Sequence, residues 1–427
     1  MSAPNTQLVQ IEKPVYGGAF LARVEGKAVF VPLTLPDEQA RIRLVEEKRG
    51  YALAEAEEIV WASPARITPS CRHFGVCGGC HYQHTDYETQ FGFKKAVLRE
   101  TLERGGLRTM PEIGLLAGDP WKYRNRIRLA FDGAGNPGYR GRRSHAVIPI
   151  RECPIAAPLL LKSAVAFAAM LRESVLTLRL TEMSLFCNEE ESALLVSIFV
   201  ASPGKIRIEE VASVFKERVP ELQGLELVVE GRKGEQPRTL ARWGASSLTY
   251  RAAAFDYRVD HGSFFQVNRW LVDTLVQRVT EGRSGKLAWD LFAGVGLFAR
   301  QLAANFENVI AVESAPTAVE ALKENLKNTH SEAVKAETLP FLRRQPKSDP
   351  PDLIVVDPPR TGLGPETTAQ LTSIAAPAIV YVSCDPATLA RDLRALSSSG
   401  YGIESITLVD LFPQTFHLET VVALRRA

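Results

Sequence analysis

From about residue 262 onward, the chain alternates strand-like and helical segments. Helical segments such as Pro316–Asn328 and Pro386–Leu396 separate the strands, which predicts a parallel sheet with helices on both faces. Phe264–Val279, ahead of the first strand, predicts an amphipathic helix. The tail predicts an antiparallel hairpin at the sheet edge, formed by Ile403–Val409 and Thr420–Leu424. The apolar runs predicted as parallel strands are Leu287–Leu291, Val309–Val312, Leu353–Val356 and Ile379–Val382.

The whole chain has 427 residues, too many for one hydrophobic core, so we expect separate domains. Residues 1–63 carry several short strand patterns, which predict a small OB-like barrel. Residues 64–261 predict a mixed α+β central domain that includes a helix over Tyr87–Arg104. Residues 262–427 form the predicted α/β domain described above.

The composition is that of an ordinary globular protein, with 45% apolar and 23% charged residues. The formal net charge is only +2, so a nucleic-acid partner would need a local basic surface. No apolar run reaches the roughly 18 residues that span a bilayer, and the start of the chain lacks a signal-peptide pattern. We therefore expect a cytoplasmic protein with no membrane partner, acting as a monomer.

Two stretches combine aromatic and basic residues. Alternation in Trp121–Arg128 places Arg124, Arg126 and Arg128 on one strand face, and Tyr139–Arg143 adds more positive charge. Aromatic side chains among cations suit unstacked RNA, and phosphate contacts by the three arginines are predicted. A solvated strand face is the alternative interpretation.

Motifs follow each predicted parallel strand at its carboxyl end, where open α/β sheets bind their ligands. The first strand leads into a turn containing Gly294 and Gly296, which lets the backbone approach a ligand closely. The second ends at Glu313, where such folds place a carboxylate on a ribose hydroxyl. The third and fourth end in Asp357–Arg360 and Ser383–Pro386.

Glycines at a strand–helix turn can simply permit the turn, and a nicotinamide enzyme also has such glycines. The full dinucleotide motif is absent, because Ala299 stands where its third glycine would be, although the motif tolerates alanine. The Asp-Pro-Pro and Ser-Cys-Asp-Pro turns at the same rim favour a methyl-transfer site instead.

Three of the six cysteines lie within ten residues, and in a reducing cytosol such clusters bind metal or do chemistry more often than they form disulfides. Four thiolates suit a [4Fe–4S] cluster or an all-cysteine zinc site, and the single close pair favours iron–sulfur. Nearby His73, His81 and His84 keep a mixed zinc site open. Cys187 is interpreted as structural. The four proposed ligands are Cys71, Cys77, Cys80 and Cys153.

Taken together, these motifs resemble those of the RNA 5-methyluridine methyltransferases, most closely the group acting on bacterial 23S ribosomal RNA, and the likeness covers nearly the whole chain. The resemblance implies a class I, Rossmann-like methyltransferase domain, an N-terminal TRAM barrel that binds RNA, and a [4Fe–4S] cluster on the cysteines. The pieces that carry it are Phe265–Asn268, Asp290–Gly296, Asp357–Arg360, Ser383–Arg391 and His417–Glu419.

The resemblance also assigns roles to single residues. Cys384 is the matching nucleophile and Glu419 the matching general base. S-adenosylmethionine would be the methyl donor, and 23S ribosomal RNA the expected partner. The donor contacts fall on Gln266, Phe292, Gly294, Glu313 and Asp357.

A cysteine and a base suit the chemistry that this family implies. A thiolate adding to carbon 6 of uracil turns the ring into an enolate that attacks the donor methyl group, and a base then removes the carbon 5 proton. Cys384 precedes a predicted helix N-terminus, which would favour its thiolate. Partial burial of Glu419 would raise its pKa toward neutrality.

Other readings stay open. Cys384 could be a buried structural cysteine and Glu419 a surface charge. The rival functions are a tRNA uridine methyltransferase, an amino-group methyltransferase that would not need Cys384, and a non-catalytic RNA-binding or iron–sulfur adaptor.

Overall fold

A computed structural model describes residues 6–173, 180–202, 206–231 and 237–427. The N-terminal strands form a closed barrel in the order β1-β2-β3-β5-β4, in which β3 and β5 run parallel and the other neighbours antiparallel. Side chains such as Ile11, Phe20 and Ile42 fill its core. This confirms the predicted OB-like barrel. The strands are β1 Thr6–Pro14, β2 Ala19–Val24, β3 Lys27–Pro32, β4 Gln39–Glu47 and β5 Tyr51–Trp61.

The predicted helix follows as α1 Tyr87–Arg104, and then comes a short strand, β6 Ile113–Leu116. A seven-stranded mixed sheet comes next, in the order β13-β12-β11-β10-β7-β8-β9, with helices α2 Pro158–Arg172 and α3 Ile208–Arg218 packed against it. Its strands are β7 Arg126–Phe131, β8 Pro137–Arg140, β9 Val147–Pro149, β10 Leu180–Cys187, β11 Leu194–Val200, β12 Leu222–Val229 and β13 Arg238–Gly244.

The C-terminal sheet has eight strands in the order β18-β17-β16-β19-β20-β22-β21-β6. The first five run parallel, because a helix crosses back between successive strands. A separate hairpin, β14 Ser247–Ala252 and β15 Phe255–Asp260, packs into the core on one face. The strands of the large sheet are β16 Gly285–Leu291, β17 Phe306–Glu313, β18 Ser331–Lys335, β19 Leu353–Val356, β20 Ala378–Ser383, β21 Tyr401–Val409 and β22 Glu419–Arg426.

Helices cover both faces of this sheet, and two hydrophobic clusters lie against it. The order of its strands, with β22 inserted antiparallel between β20 and β21, is that of a class I methyltransferase domain. The helices are α4 Val272–Thr280, α5 Leu297–Leu302, α6 Pro316–Asn325, α7 Thr338–Arg344, α8 Gly364–Ile374 and α9 Pro386–Ser398.

Three details differ from the sequence predictions. The tail hairpin is not at the sheet edge, because β6 pairs in parallel with β21 beyond it. The helix expected over Phe264–Val279 begins only at Val272, because the buried Asn268 side chain accepts the N–H groups of Trp270 and Leu271 and turns the chain there. Strand β18 was not foreseen.

Residues from the predicted central domain also complete the C-terminal one. Helix α1 packs on α9, and Leu98, Leu102 and Ile113 lie in the same core as the strands β16 and β20. The domain boundaries at 63 and 261 therefore stay predictions. Within the described residues, no helix is long and apolar enough to cross a lipid bilayer.

Candidate active site and cysteine cavity

The turn after β16 has the backbone of a ligand-binding loop. Phe292, Gly294 and Gly296 all have positive φ, at 65°, 55° and 89°, a conformation that bulky residues such as phenylalanine rarely adopt without support. Glu313, at the end of β17, supplies that support: its Oε2 accepts the N–H of Gly294 at 2.9 Å. Its Oε1 accepts the N–H groups of Ser314 and Ala315, each at 2.7 Å.

One pocket brings together four of the five expected donor contacts, namely Gln266, Phe292, Gly294 and Asp357. Glu313 lies directly behind it through its hydrogen bond to Gly294. The extended segment that was predicted as helix forms one wall, where Gln266 is buried and the Phe264 ring is exposed. The donor set fits S-adenosylmethionine, because a close-approach glycine turn, a strand-end carboxylate and aromatic walls converge there.

Asp290 lies buried beneath this turn at the end of β16. Its Oδ2 accepts the N–H of Ala299 at 2.8 Å, which ties the strand to helix α5. Burial, together with the charges of Asp357 and Glu313, raises the pKa of Asp290 to about 8. This carboxyl group therefore has a structural role, because it connects the end of β16 to helix α5.

Cys384, directly after the end of β20, lies close to Glu419, the first residue of the neighbouring strand β22. In the antiparallel register of β20 and β22, Ser383 pairs with Thr420, so the next position along brings Cys384 opposite Glu419. Cys384 is half-buried, whereas Glu419 is only 5% exposed. The alternative of a surface glutamate is therefore wrong.

Burial is the main cause that raises the pKa of Glu419 well above its usual value, and the charge of Asp357 adds to it. Burial also raises the pKa of Asp357, to about 7. The guanidinium of Arg360 lies beside this group and works in the opposite direction on Glu419. The site thus holds two carboxyl groups, one thiol and one permanent cation.

The expectation that the helix N-terminus would favour the Cys384 thiolate is wrong for the substrate-free protein. Burial raises the pKa of Cys384 to about 11, and the charges of Glu419 and Asp357 add to the rise. The N-terminal N–H groups of α9 are already taken, because the Asp385 carboxylate accepts those of Ala387 and Thr388. Arg360 alone partly offsets the shift.

Two further residues at this site were missed from the sequence. Arg360 donates to Nδ1 of His417 at 3.1 Å, and burial lowers the pKa of His417 to about 3, so this imidazole is neutral. Tyr16, in the turn between the first two barrel strands, lies against Asp385 and packs edge-on against Phe416. The Asp-Pro-Pro-Arg turn signalled Arg360, whereas nothing local signalled Tyr16.

A second cavity, of about 340 Å³, is lined by all four proposed cluster ligands. The thiols of Cys71, Cys77, Cys80 and Cys153 are all free, and burial raises the pKa of Cys80 to about 12. In the part of the chain that the structure describes, no three His, Cys, Asp or Glu side chains are arranged as a ready metal site.

Of the three histidines, His73 and His81 line the same cavity. His84 does not: its Nε2 lies 3.0 Å from the Thr34 carbonyl oxygen in the barrel. The mixed zinc site thus keeps two histidine candidates. Cys187 is fully buried in the central sheet, as its structural interpretation requires.

The basic strand face differs from its prediction. Arg126 is half-buried, and its guanidinium donates to the carbonyl of Ser263 and stacks on Phe186, so it is already engaged within the protein. Arg128 is exposed but pairs with Glu182. Arg124 points to the cysteine cavity. The prediction of three phosphate contacts on one face is therefore wrong for Arg126, because its guanidinium is taken by the Ser263 carbonyl and the Phe186 ring.

The fold and the donor pocket define an S-adenosylmethionine-dependent methyltransferase. A solved structure with the same architecture is the tRNA (uracil-54, C5)-methyltransferase of Pyrococcus abyssi in complex with S-adenosyl-L-homocysteine. It superposes with a TM-score of 0.80 at 24% identity and covers 97% of this chain and 100% of that chain.

The chain belongs to the tRNA (uracil-5-)-methyltransferase family, whose model matches residues 152–340 and 348–427. A TRAM domain matches residues 5–56, a range that takes in four of the five barrel strands and part of the fifth. An RNA methyltransferase of Streptomyces avermitilis is 35% identical over 98% of both chains. The 23S rRNA (uracil(1939)-C(5))-methyltransferase of Chromohalobacter salexigens is 32% identical over 98% of this chain and 89% of its own. The chain is thus an RNA (uracil-5-)-methyltransferase.

Proposed function

We propose that this enzyme methylates carbon 5 of a uridine in 23S ribosomal RNA through a covalent bond to Cys384. The observation that carries the mechanism is the register of β20 and β22, which brings a thiol and a buried carboxyl group together beside the donor pocket. An amino-group methyltransferase would need neither of them.

The steps follow from the positions of these side chains. After its proton has left to solvent, the Cys384 thiolate adds to carbon 6 of uracil, and the ring electrons move to form an enolate. S-adenosylmethionine, when bound, would supply the electrophilic methyl group to carbon 5 and leave as S-adenosylhomocysteine. Glu419 then removes the carbon 5 proton, the double bond re-forms, and the carbon–sulfur bond breaks to release the thiolate. The raised pKa of Glu419 makes it a stronger proton acceptor.

Arg360 contributes charge to this sequence. Its guanidinium lies beside both Cys384 and Glu419 and stabilises the anionic form of each. A uridine base can reach Cys384 only when it leaves the base stack, so a flipped or single-stranded base is required.

In the donor pocket, Gln266, Phe292, Gly294, Glu313 and Asp357 would hold S-adenosylmethionine. In the second cavity, Cys71, Cys77, Cys80 and Cys153 would hold a [4Fe–4S] cluster. The support for this proposal is that all four cysteines line one cavity of about 340 Å³, which has room for a multi-atom cluster. The cluster would have a structural or RNA-positioning role, because uridine methylation moves no electrons.

The 23S substrate is supported by the relatives that carry that name, such as the one from Chromohalobacter salexigens. A tRNA substrate is the alternative, since the Pyrococcus abyssi neighbour is described as a tRNA enzyme. The division at residues 63 and 261, a cytoplasmic location and a monomeric state belong to this proposal as predictions from the sequence.

The test uses purified protein, labelled S-adenosylmethionine and two RNAs, 23S ribosomal RNA and total tRNA, both made without modifications. The proposal expects 5-methyluridine in the 23S RNA only, and none with Cys384→Ala. Label in tRNA would favour the tRNA alternative. Methylated amino groups, or full activity of Cys384→Ala, would refute the mechanism, and no label in any RNA would favour the adaptor.

A further inference from the structure

The loop that delivers the proposed base is anchored by a residue that no motif singled out. Residues 410–418, here called the base loop, connect β21 to Glu419 at the start of β22. At its centre Gln414 is 2% exposed and has a φ of 67°. A long polar side chain in the left-handed region is held there only by strong surrounding contacts.

Those contacts come from the cysteine segment and from helix α1. The carbonyl of Gln414 accepts two backbone N–H groups, from His81 at 2.8 Å and from Tyr82 at 3.1 Å, directly after the cluster ligand Cys80. The side chain of Gln90, on α1, makes a reciprocal pair with Gln414. Its Nε2 donates to Gln414 Oε1 at 2.9 Å, and its Oε1 accepts the Gln414 N–H at 3.1 Å.

The anchoring continues on both sides of Gln414. The buried Lys94 ammonium donates to Asp410 at 2.6 Å and to the Phe412 carbonyl at 2.8 Å. Tyr123 donates to the carbonyl of Pro413 at 3.1 Å. Four positions of the loop thus have a carbonyl or carboxylate hydrogen-bonded to elements outside the C-terminal sheet, namely Asp410, Phe412, Pro413 and Gln414.

The far end of the loop reaches the reacting groups. The ring of Phe416 packs edge-on against His81, with 4.7 Å between ring centroids. The next residue, His417, meets Arg360, and Glu419 follows two positions later. A shift of Gln414 would therefore move Glu419 relative to Cys384, whereas the backbone of Arg360 is held separately by the Thr388 hydroxyl on helix α9.

We propose that Gln90 and Gln414 are positioning residues, through which the cysteine segment and helix α1 set the place of Glu419 for proton removal. This rests on the proposed function, in which Glu419 is the base. Neither glutamine lines the donor pocket. The pair affects only proton removal by Glu419. Methyl transfer therefore proceeds when the pair is lost, whereas release of Cys384 from the RNA is slowed. A misplacement of about 1 Å can slow a catalysed step by about 10²-fold.

The test compares Gln90→Met, which keeps the length and removes both hydrogen bonds to Gln414 together with the one to the Thr85 carbonyl, with Gln414→Gly, which leaves the Thr85 contact in place. Glycine tolerates the positive φ of position 414, so the second variant removes the Gln414 side chain without adding backbone strain. Gln277→Met is the matched control, because Gln277 is an exposed helical glutamine that meets only Glu281. A single-turnover reaction with labelled donor measures two rates. Total label in RNA gives methyl transfer, and a denaturing gel separates the released RNA from RNA still bound covalently to the protein.

Both variants are expected to transfer methyl at the rate of the control, to release RNA about 10- to 100-fold more slowly, and to accumulate a methylated RNA–protein adduct. Amide exchange should speed up within residues 410–418 and stay unchanged in β16 and β19. Equal slowing of methyl transfer and release, or unchanged release with faster exchange, would overturn the proposal.

Glu419→Gln, measured in parallel, distinguishes a failure of the positioning role from a failure of the proposed base. If it accumulates adduct while the glutamine variants release RNA normally, the positioning role falls and the proposed base stands. If Glu419→Gln turns over normally, the base assignment falls, and the positioning role falls with it.

Discussion

Cys384 should react slowly with iodoacetamide at neutral pH in the RNA-free protein. The thiolate is the reactive form, and burial with two neighbouring carboxyl groups raises the pKa from 9.0 to about 11. Two pKa units correspond to about 100-fold less thiolate at pH 8 than an unperturbed thiol would have. The alkylation rate should then rise about tenfold per pH unit from pH 8 to pH 10.

The assay follows alkylation of each cysteine-containing peptide by mass spectrometry over this pH range, so the cysteines of the second cavity do not confuse the result. Glu419→Gln removes one of the charges that raise the pKa of Cys384, and its profile should shift to lower pH. Arg360→Met removes the cation and should shift the profile to higher pH.

A half-maximal rate for Cys384 near pH 8 to 9 would refute this reasoning, as would identical profiles for wild type and both variants. In either case the N-terminus of helix α9, and not burial and the neighbouring charges, would set the pKa of Cys384, although Asp385 caps that helix.

Three further predictions concern the rest of the molecule. Lys94→Met leaves the buried Asp410 carboxylate unpaired and should cost about 3 to 5 kcal/mol in a urea unfolding curve, and a loss below about 1 kcal/mol would contradict the pairing. Protein purified without oxygen should be brown with equal iron and sulfide, and Cys153→Ser should weaken both signals, whereas one zinc in a colourless protein would refute the cluster. Glu313→Gln should weaken S-adenosylmethionine binding about tenfold by calorimetry, because the loop carboxylate that meets Gly294 loses its charge, and unchanged affinity would remove Glu313 from the donor site.

Local patterns in the sequence were enough to predict the barrel and the parallel strands. Leu353–Val356 forms a strand over the predicted residues, and the helix over Tyr87–Arg104 has the predicted bounds. Periodicity and turn residues act within a few positions of each other, and these elements depend on little else. The motifs at the carboxyl ends of the parallel strands were found for the same reason, because each lies directly after its own strand in the sequence.

Features that depend on distant parts of the chain were not predictable in this way. The edge strand β6 pairs with β21, almost 300 positions later in sequence, and its four residues carry no strong pattern. The apolar periodicity of Phe264–Val279 suggested one helix, but the side chain of Asn268 competes for the backbone N–H groups. The contacts of Arg126 with Ser263 and of Gln414 with His81 and Tyr82 likewise come from residues distant in sequence.

The most direct test of the central claim is a cross-link between the protein and a 23S RNA fragment carrying 5-fluorouridine. Fluorine at carbon 5 cannot leave as a proton does, so the reaction should stop with the base still attached to sulfur. Peptide mapping of the trapped complex should locate one methylated fluorouridine on Cys384, in the presence of S-adenosylmethionine only. A cross-link on another residue, or methyl transfer without any covalent complex, would contradict the account.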